Sequence, residues 1–371
     1  MVDIKQIENK QRKVMIVDDS EDSLLLYSKI LKHYTVKCVE NGIMAVSMLD
    51  SFQPDVIVLD VNMPYIGGID VCRKVRGKRG LSSYMGIVLI SATIDPKLTV
   101  EGLEAGADDF CLKKSALDEL RARVFSIMRL KTMTDELMTS RVETVKSFVK
   151  AAEFHDMDTG AHIERMSQYS ALIYEKLGFD QAACENLRLA AMLHDIGKIT
   201  TPDAVLKKPG TLTKDEFEIM KEHAGNGYDI LKNAQSPLLK LASNIAHHHH
   251  ERWDGTGYPC ALKGEDIPLE ARIVTIADVF DALLSKRCYK EKWTLEQSLE
   301  TLVKGAGTHF DPQLILLFFD NLEEILKIRN KFETANERGM RESFEKHQLK
   351  GNQGEGSQEV SQPIALPVKA A

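Results

Sequence analysis

The sequence predicts a doubly wound parallel α/β domain followed by an all-α domain, with one long helix between them. Three observations carry this. Short, continuous, β-branched runs alternate with helical patterns over residues 12–114. From Ser115 to Glu153 there is neither proline nor glycine. Residues 150–330 keep mostly 3.6-period apolar spacing, with a Gly/Pro-rich loop at Asp254–Pro268 and no convincing strand.

Each element has its own reason. Val14–Val17, Val56–Leu59 and Ile87–Ile90 are apolar throughout, as strands buried on both faces of a parallel sheet are. Val36–Val39 and Phe110–Leu112 complete five strands, and Asp22–Lys32 and Ala45–Phe52 carry helical spacing. Leu117, Leu120, Val124, Ile127, Leu130, Met133 and Leu137 follow 3/4 spacing, which Val142, Val145, Phe148 and Ala152 resume. This reads as a last helix of the first domain running on into a connector, paired with a second copy in a homodimer. The alternative is one amphipathic helix packed on its own domain. The expected division is 12–130, a connecting helix over 131–150, the helical domain over 151–335, and a disordered Gly/Gln/Ser-rich tail over 336–371.

Composition sets limits. Hydrophobic residues make up 43% of 371, enough for two full cores. The net charge of −7 argues against a nucleic-acid polymer as partner. No apolar run reaches the ~18–20 residues that span a bilayer, and Met1–Lys13 is polar, so a cytoplasmic chain without membrane contact is expected. The cysteines at 38, 72, 111, 184, 260 and 288 form no CxxC pair and read as reduced core residues.

Polar residues cluster where a parallel sheet binds ligands, at the carboxyl ends of its strands. Asp18 and Asp19 follow the first strand, Asp60 the third, Ser91 the fourth and Lys113 the fifth. Three carboxylates in one place call for a cation, and oxygen ligands suit Mg²⁺. A carboxylate beside Mg²⁺ and a lysine can accept a phosphoryl group. The segments VMIVDD, DVIVLDVNMP, LISA and GADDFCLKK resemble the response-regulator receiver family, a flavodoxin-like fold, over about residues 12–130. The resemblance implies Asp60 as phosphoacceptor and Mg²⁺ held by Asp18, Asp19 and the Asn62 carbonyl. It also implies Ser91 and Lys113 as sensors of the phosphoryl group, Phe110 as the switch aromatic and a sensor histidine kinase as partner. Lys114 stands where the family has proline.

The second domain concentrates metal-ligand chemistry. Seven of eleven histidines lie at 162 or between 194 and 250. His194-Asp195 follows an apolar helical run, His223 sits in MKEHAGNG, and His247–His250 are consecutive. Asp278 lies in the helical pattern IVTIADVFDALLS, and Asp158 and His162 are spaced i, i+4. His33, His309 and His347 read as ordinary polar residues. A helix turns only some of four consecutive histidines to one point, so His249 and His250 are chosen and His247 and His248 are set aside. Mixed imidazole and carboxylate ligands suit transition metals, and an Asp able to bridge suits a pair that acidifies water at a phosphate ester.

These residues, with DTGAHIER, LHDIGKI, KPGTLTKDEF, HHERWDGTGYP and KRCYK, resemble the HD-GYP cyclic di-GMP phosphodiesterases over about residues 145–330. The resemblance implies metal ligands at His162, His194, Asp195, His223, His249, His250 and Asp278, with Asp195 bridging two metals, Fe or Mn. It places Lys198 near the scissile phosphate and Arg287 and Lys290 on substrate phosphates. Some members carry glutamate at the Asp158 position and hold a third metal there; aspartate is one methylene shorter, so two metals are expected. The implied activity is hydrolysis of cyclic di-GMP to pGpG and onward to GMP. The alternatives are another cyclic dinucleotide, such as cyclic GMP-AMP, and a catalytically silent sensor of the nucleotide.

Overall fold

The protein is described by a computed structural model over residues 11–77, 84–93, 95–114, 117–153, 160–285 and 293–332. The first domain is a five-stranded parallel sheet: β1 (Lys13–Val17), β2 (Thr35–Val39), β3 (Val56–Asp60), β4 (Gly86–Ser91) and β5 (Asp109–Leu112). Its order is β2-β1-β3-β4-β5. Every residue of β3 and β4 is buried, as the apolar runs require, whereas the edge strand β2 exposes Lys37 and Cys38. The covering helices are α1 (Glu21–Ile30), α2 (Gly42–Phe52), α3 (Gly68–Gly77) and α4 (Pro96–Glu104). Ser20 and Asn41 cap α1 and α2, their side chains accepting from the amides of Ser23 and Met44. Strand order reverses between β1 and β3, so a crevice opens beyond their carboxyl ends. That crevice is where the acidic residues meet.

α5 (Leu117–Glu153) is one continuous helix of 37 residues. At 1.5 Å per residue it is roughly 55 Å long. Its two ends belong to different cores. Leu120, Val124, Ile127 and Met128 pack beneath the sheet with Val14, Val56 and Val88. Val145, Val149 and Ala152 pack among the helices of the second domain. Where the helix leaves the sheet, Arg12 donates to Asp135 at 2.9 Å, to Thr132 at 3.0 Å and to Asp55 at 3.1 Å. Leu130, Met133 and Leu137 stay exposed between the two cores.

The second domain consists of α6 (Gly160–Lys176), α7 (Gln181–Ala191), α8 (Asp203–Leu206), α9 (Lys214–Leu231), α10 (Pro237–His248), α11 (Leu269–Leu284), α12 (Leu295–Gly305), α13 (Pro312–Asp320) and α14 (Leu322–Lys331). Among the described residues it has no strand, only one isolated bridge between Ala306 and Phe310. Tyr169, Phe280 and Phe318 meet edge to face at its centre and tie α6, α11 and α13 together. α9 starts on a reciprocal cap between Thr213 and Glu216.

One expectation, that the cysteines are core residues, needs correction. Cys38 and Cys260 are exposed rather than buried, because one lies on an edge strand and the other in a surface loop. Cys288 and the tail 336–371 lie outside the described residues. No described helix is long and apolar enough to cross a membrane.

The packing of α5 makes a testable contrast with its exposed middle. Met128 is wholly buried. Met128→Ala is expected to cost about 2–5 kcal/mol of stability in urea unfolding of the full chain. A cost below about 0.5 kcal/mol, typical of surface substitutions, would contradict the assignment of this end of α5 to the first core.

Candidate metal centre

The phosphoacceptor rim comes first, because the sheet builds it directly. Asp18 and Asp60 are buried side by side beyond β1 and β3. The Lys113 ammonium reaches Asp18 Oδ2 at 2.8 Å and Asp60 Oδ2 at 2.7 Å, with Lys114 following it where proline was the family's habit. Burial pushes the Asp60 carboxyl up, against the pull of Lys113. Asp18, Asp19 and Asp60 lie close enough to hold one cation. Ser91 is buried at the end of β4, the Asn62 amide points at Asp60 Oδ1 at 3.4 Å, and Phe110 is partly buried against the sheet's second face.

The second domain assembles its centre from five elements. α7 ends at Ala191, and a turn carries His194 and Asp195 into a 3₁₀ segment, Ile196–Thr200. This segment lies directly on α9: a Cβ at Gly197 would overlap the His223 carbonyl. Glycine there lets Asp195 and His223 approach. α10 ends at His248, so His249 and His250 lie in the turn that follows the helix. α6 supplies His162, and α11 supplies Asp278. Gly257 has the same logic as Gly197, since a Cβ would meet the backbone of His250, Glu251 and Arg252.

The side chains fall into two donor sets that share one carboxylate. His162, His194 and Asp278 form the first; Asp195, His223, His249 and His250 form the second. Asp195 Oδ2 faces His194 Nε2 at 3.2 Å, whereas Oδ1 faces His223 Nε2 at 3.3 Å and His249 Nε2 at 3.5 Å. His162 Nε2 is 3.2 Å from Asp278 Oδ1, and His250 Nε2 is 3.1 Å from His223 Nε2. Two ligand atoms on one ion at about 2.1 Å sit roughly 3.0–3.4 Å apart, so these spacings match shared coordination. His194 to Asp278, at 3.9 Å, is the loosest pair.

Four of the five imidazoles are oriented from behind. Nδ1 faces a carbonyl at His194 (Ala191, 2.9 Å), His223 (Met220, 2.5 Å) and His249 (Ala246, 3.0 Å), and the Asp281 carboxylate at His162 (2.9 Å). With Nδ1–H donating there, each Nε2 lone pair points inward. Nε2 of His194 and His249 and Oδ1 of Asp195 are buried without a hydrogen bond. Orphaned acceptors converging in this way fit a cation. Burial, reinforced by His249 and His223, holds His250 well below its usual pKa, and burial likewise lowers His249. Asp195 keeps 24% of its side chain exposed, which leaves the centre one open side. Lys198 Nζ lies on that side, 2.8 Å from Asp195 Oδ2.

All seven anticipated ligands therefore converge with Lys198. Asp158, Arg287 and Lys290 lie outside the described residues. Sequence reasoning missed Asp281. This fully buried carboxylate accepts from His162, from Arg165 at 2.8 Å, from Tyr169 and Arg329 at 3.1 Å, and from the Ser285 hydroxyl at 3.1 Å. The signal was its position three residues after Asp278, on the same face of α11. Glu251 was missed too: it is buried and clasps the following loop through the amides of Cys260 at 2.7 Å and Leu262 at 3.0 Å.

The model of the response regulator receiver domain matches residues 14–125, and that of the HD domain matches residues 133–314. The chain is 36% identical to the cyclic di-GMP phosphodiesterase response regulator RpfG of Xanthomonas campestris pv. campestris, over 88% of this chain and 92% of that protein. The chain belongs to the HD-GYP response regulators. A second family member, a cyclic di-GMP phosphodiesterase of Thermotoga maritima, is 35% identical over 88% of this chain and 96% of that protein. A 3'3'-cGAMP-specific phosphodiesterase of Vibrio cholerae is 42% identical over 53% of this chain and 38% of that protein. HD-GYP phosphodiesterases are metal-dependent, and the residues above fit that requirement.

In the metal-free HD-GYP domain, protons compensate the buried carboxylates. Burial lowers the His162 pKa, but Asp278 and Asp281 outweigh it and push the value up to about 10. The unfolded value is about 6.5. This stabilisation is fully present below about pH 6.5 and lost as the pH rises through about 10. The melting temperature of metal-free protein is therefore expected to fall between pH 7 and pH 10, with a flatter profile in His162→Gln. Equal profiles would contradict the pairing. Asp281→Asn is expected to weaken metal binding about 10–100-fold, read by competition with a chelator dye.

Proposed function

We propose that this chain hydrolyses cyclic di-GMP to linear pGpG, and onward to GMP, under the control of Asp60 phosphorylation by a sensor histidine kinase. The observation that carries the chemistry is the Asp195 carboxylate, whose two oxygens face two separate donor sets. A carboxylate so placed suits two divalent metals, of which Fe or Mn fit the imidazole-carboxylate ligands. When bound, such metals acidify water and offset charge on the phosphate.

The chain's own residues do the rest. Back-bonded histidines keep Nε2 turned inward, so little reorganisation is needed at the reacting phosphate. Lys198, 2.8 Å from Asp195 Oδ2, is proposed to donate from Nζ to the departing oxygen. Arg287 and Lys290 are proposed as contacts for the remaining phosphate oxygens. The oxygen of water joins phosphorus, the bond to the 3′-oxygen breaks, and that oxygen takes a proton. Asp158 is the candidate for a third metal, and two is the proposed number.

Regulation is proposed to run through α5. Mg²⁺ among Asp18, Asp19 and Asn62 would assist phosphoryl transfer to Asp60, with Ser91, Lys113 and Phe110 reading the result. At the far end, Val149 and Ala152 line the cleft that also contains His162, His194 and Lys198. The exposed stripe of Leu130, Met133 and Leu137 supports a homodimer through the receiver and α5. The domain boundaries, 12–130, 131–150 and 151–335, stand as part of this proposal, as does a cytoplasmic setting.

A second substrate has support. A 3'3'-cGAMP-specific phosphodiesterase is 42% identical over 197 residues, 53% of this chain. Purified full-length protein with Mn²⁺ or Fe²⁺ is expected to linearise cyclic di-GMP faster than 3'3'-cGAMP. The double substitution His194→Ala/Asp195→Ala is expected to abolish turnover and leave the receiver folded. No linear product from reduced, metal-loaded protein would refute the proposal. Beryllofluoride is expected to change the rate; equal rates with and without it would refute control through Asp60.

A further inference from the structure

A second cluster of donors lies outside the centre described above. His247 and His248 end α10, and Cys260 follows the loop Gly257–Pro259. One ligand atom from each lies within 4.8 Å of the other two. Cys260 Sγ is 3.9 Å from His247 Nε2. On one ion, a sulfur at about 2.3 Å and a nitrogen at about 2.0–2.1 Å sit roughly 3.5 Å apart. A small side-chain rotation closes that difference.

Three features prepare the cluster. Tyr228 stacks on the His247 ring at 4.5 Å and 24°, which fixes its plane. Glu251 holds the Cys260 amide at 2.7 Å, so the thiol is carried by an anchored stretch of loop. His248 Nδ1 is buried without a hydrogen bond. The thiol itself is exposed, so an ion can enter from solvent and retain water. The donor set also differs in kind from the catalytic one: it adds sulfur to imidazole, which selects softer ions.

We propose that His247, His248 and Cys260 form a separate mononuclear site for a thiophilic divalent ion such as Zn²⁺, which ties the loop carrying Tyr258 to the end of α10. On binding, the S–H proton leaves to solvent and a sulfur–metal bond takes its place. Tyr258 stacks on His250 at 4.8 Å, so the tie fixes the loop beside the catalytic centre. This goes beyond the proposed hydrolysis and does not depend on it.

The test is Co²⁺ titration of the full-length, metal-free chain. A near-ultraviolet thiolate-to-cobalt band is expected, which nitrogen and oxygen donors alone do not produce. Zn²⁺ should abolish it. Cys260→Ser should lose the band and bind one metal equivalent fewer than the wild type. Cys288→Ser should keep both, and His247→Gln should weaken the band's binding curve at least about tenfold. Cys260 is exposed, so its substitution is expected to leave the fold intact. No band in the wild type, a band that survives in Cys260→Ser, or equal metal content in the two would overturn the proposal.

Discussion

One carboxylate organises the second domain. Asp195 turns Oδ2 toward His194 and Oδ1 toward His223 and His249. Those histidines come from three parts of the chain, so the packing of α7, α9 and α10 must be accurate to a few tenths of an ångström. Gly197 permits the closest of these approaches, where the 3₁₀ segment meets α9. The rest of the site follows from the same need. Converging lone pairs are costly when buried, and they persist because backbone carbonyls and Asp281 hold four of the five rings in place.

Asp281 is the counterweight to the centre. Two arginines, a tyrosine, a serine and His162 surround one buried anion. Removing any one partner of so well paired a buried charge is destabilising, because it leaves unpaired charges behind. It fixes His162 relative to Asp278 and joins α6, α11 and α14. Against the effect of burial, Asp278 and Asp281 hold the His162 pKa up, which ties the electrostatics of the domain to pH.

Much of this was legible in the sequence. Uniform apolar runs marked β1, β3 and β4, and strand ends located Asp18, Asp60 and Lys113. The long stretch without proline or glycine gave α5 as a single helix. The seven metal-ligand candidates could be named because the motifs around them resemble the HD-GYP family and their residue types suit a metal. Asp281 and Glu251 were not legible, since an acidic residue in a helical or loop pattern gives no sign of burial or of what surrounds it. The separation of His249 and His250 from His247 and His248 was anticipated, but its cause was not: the helix ends at His248, and a turn redirects the chain. Likewise the two ends of α5 read alike in sequence, whereas one packs under the sheet and the other beside the metal ligands.

That last feature links the two halves of the chain. A helix held in both cores transmits a change at one end only if its middle stays rigid, and Arg12, Thr132 and Asp135 brace the point of exit. The link matters only if the helical domain holds the two-metal centre that Asp195 suggests. Electron paramagnetic resonance of Mn²⁺-loaded protein tests this most directly. The account predicts a spin-coupled pair of manganese ions in the helical domain, which Asp195→Asn replaces by uncoupled manganese. A signal from uncoupled manganese only, in the wild type, would contradict it.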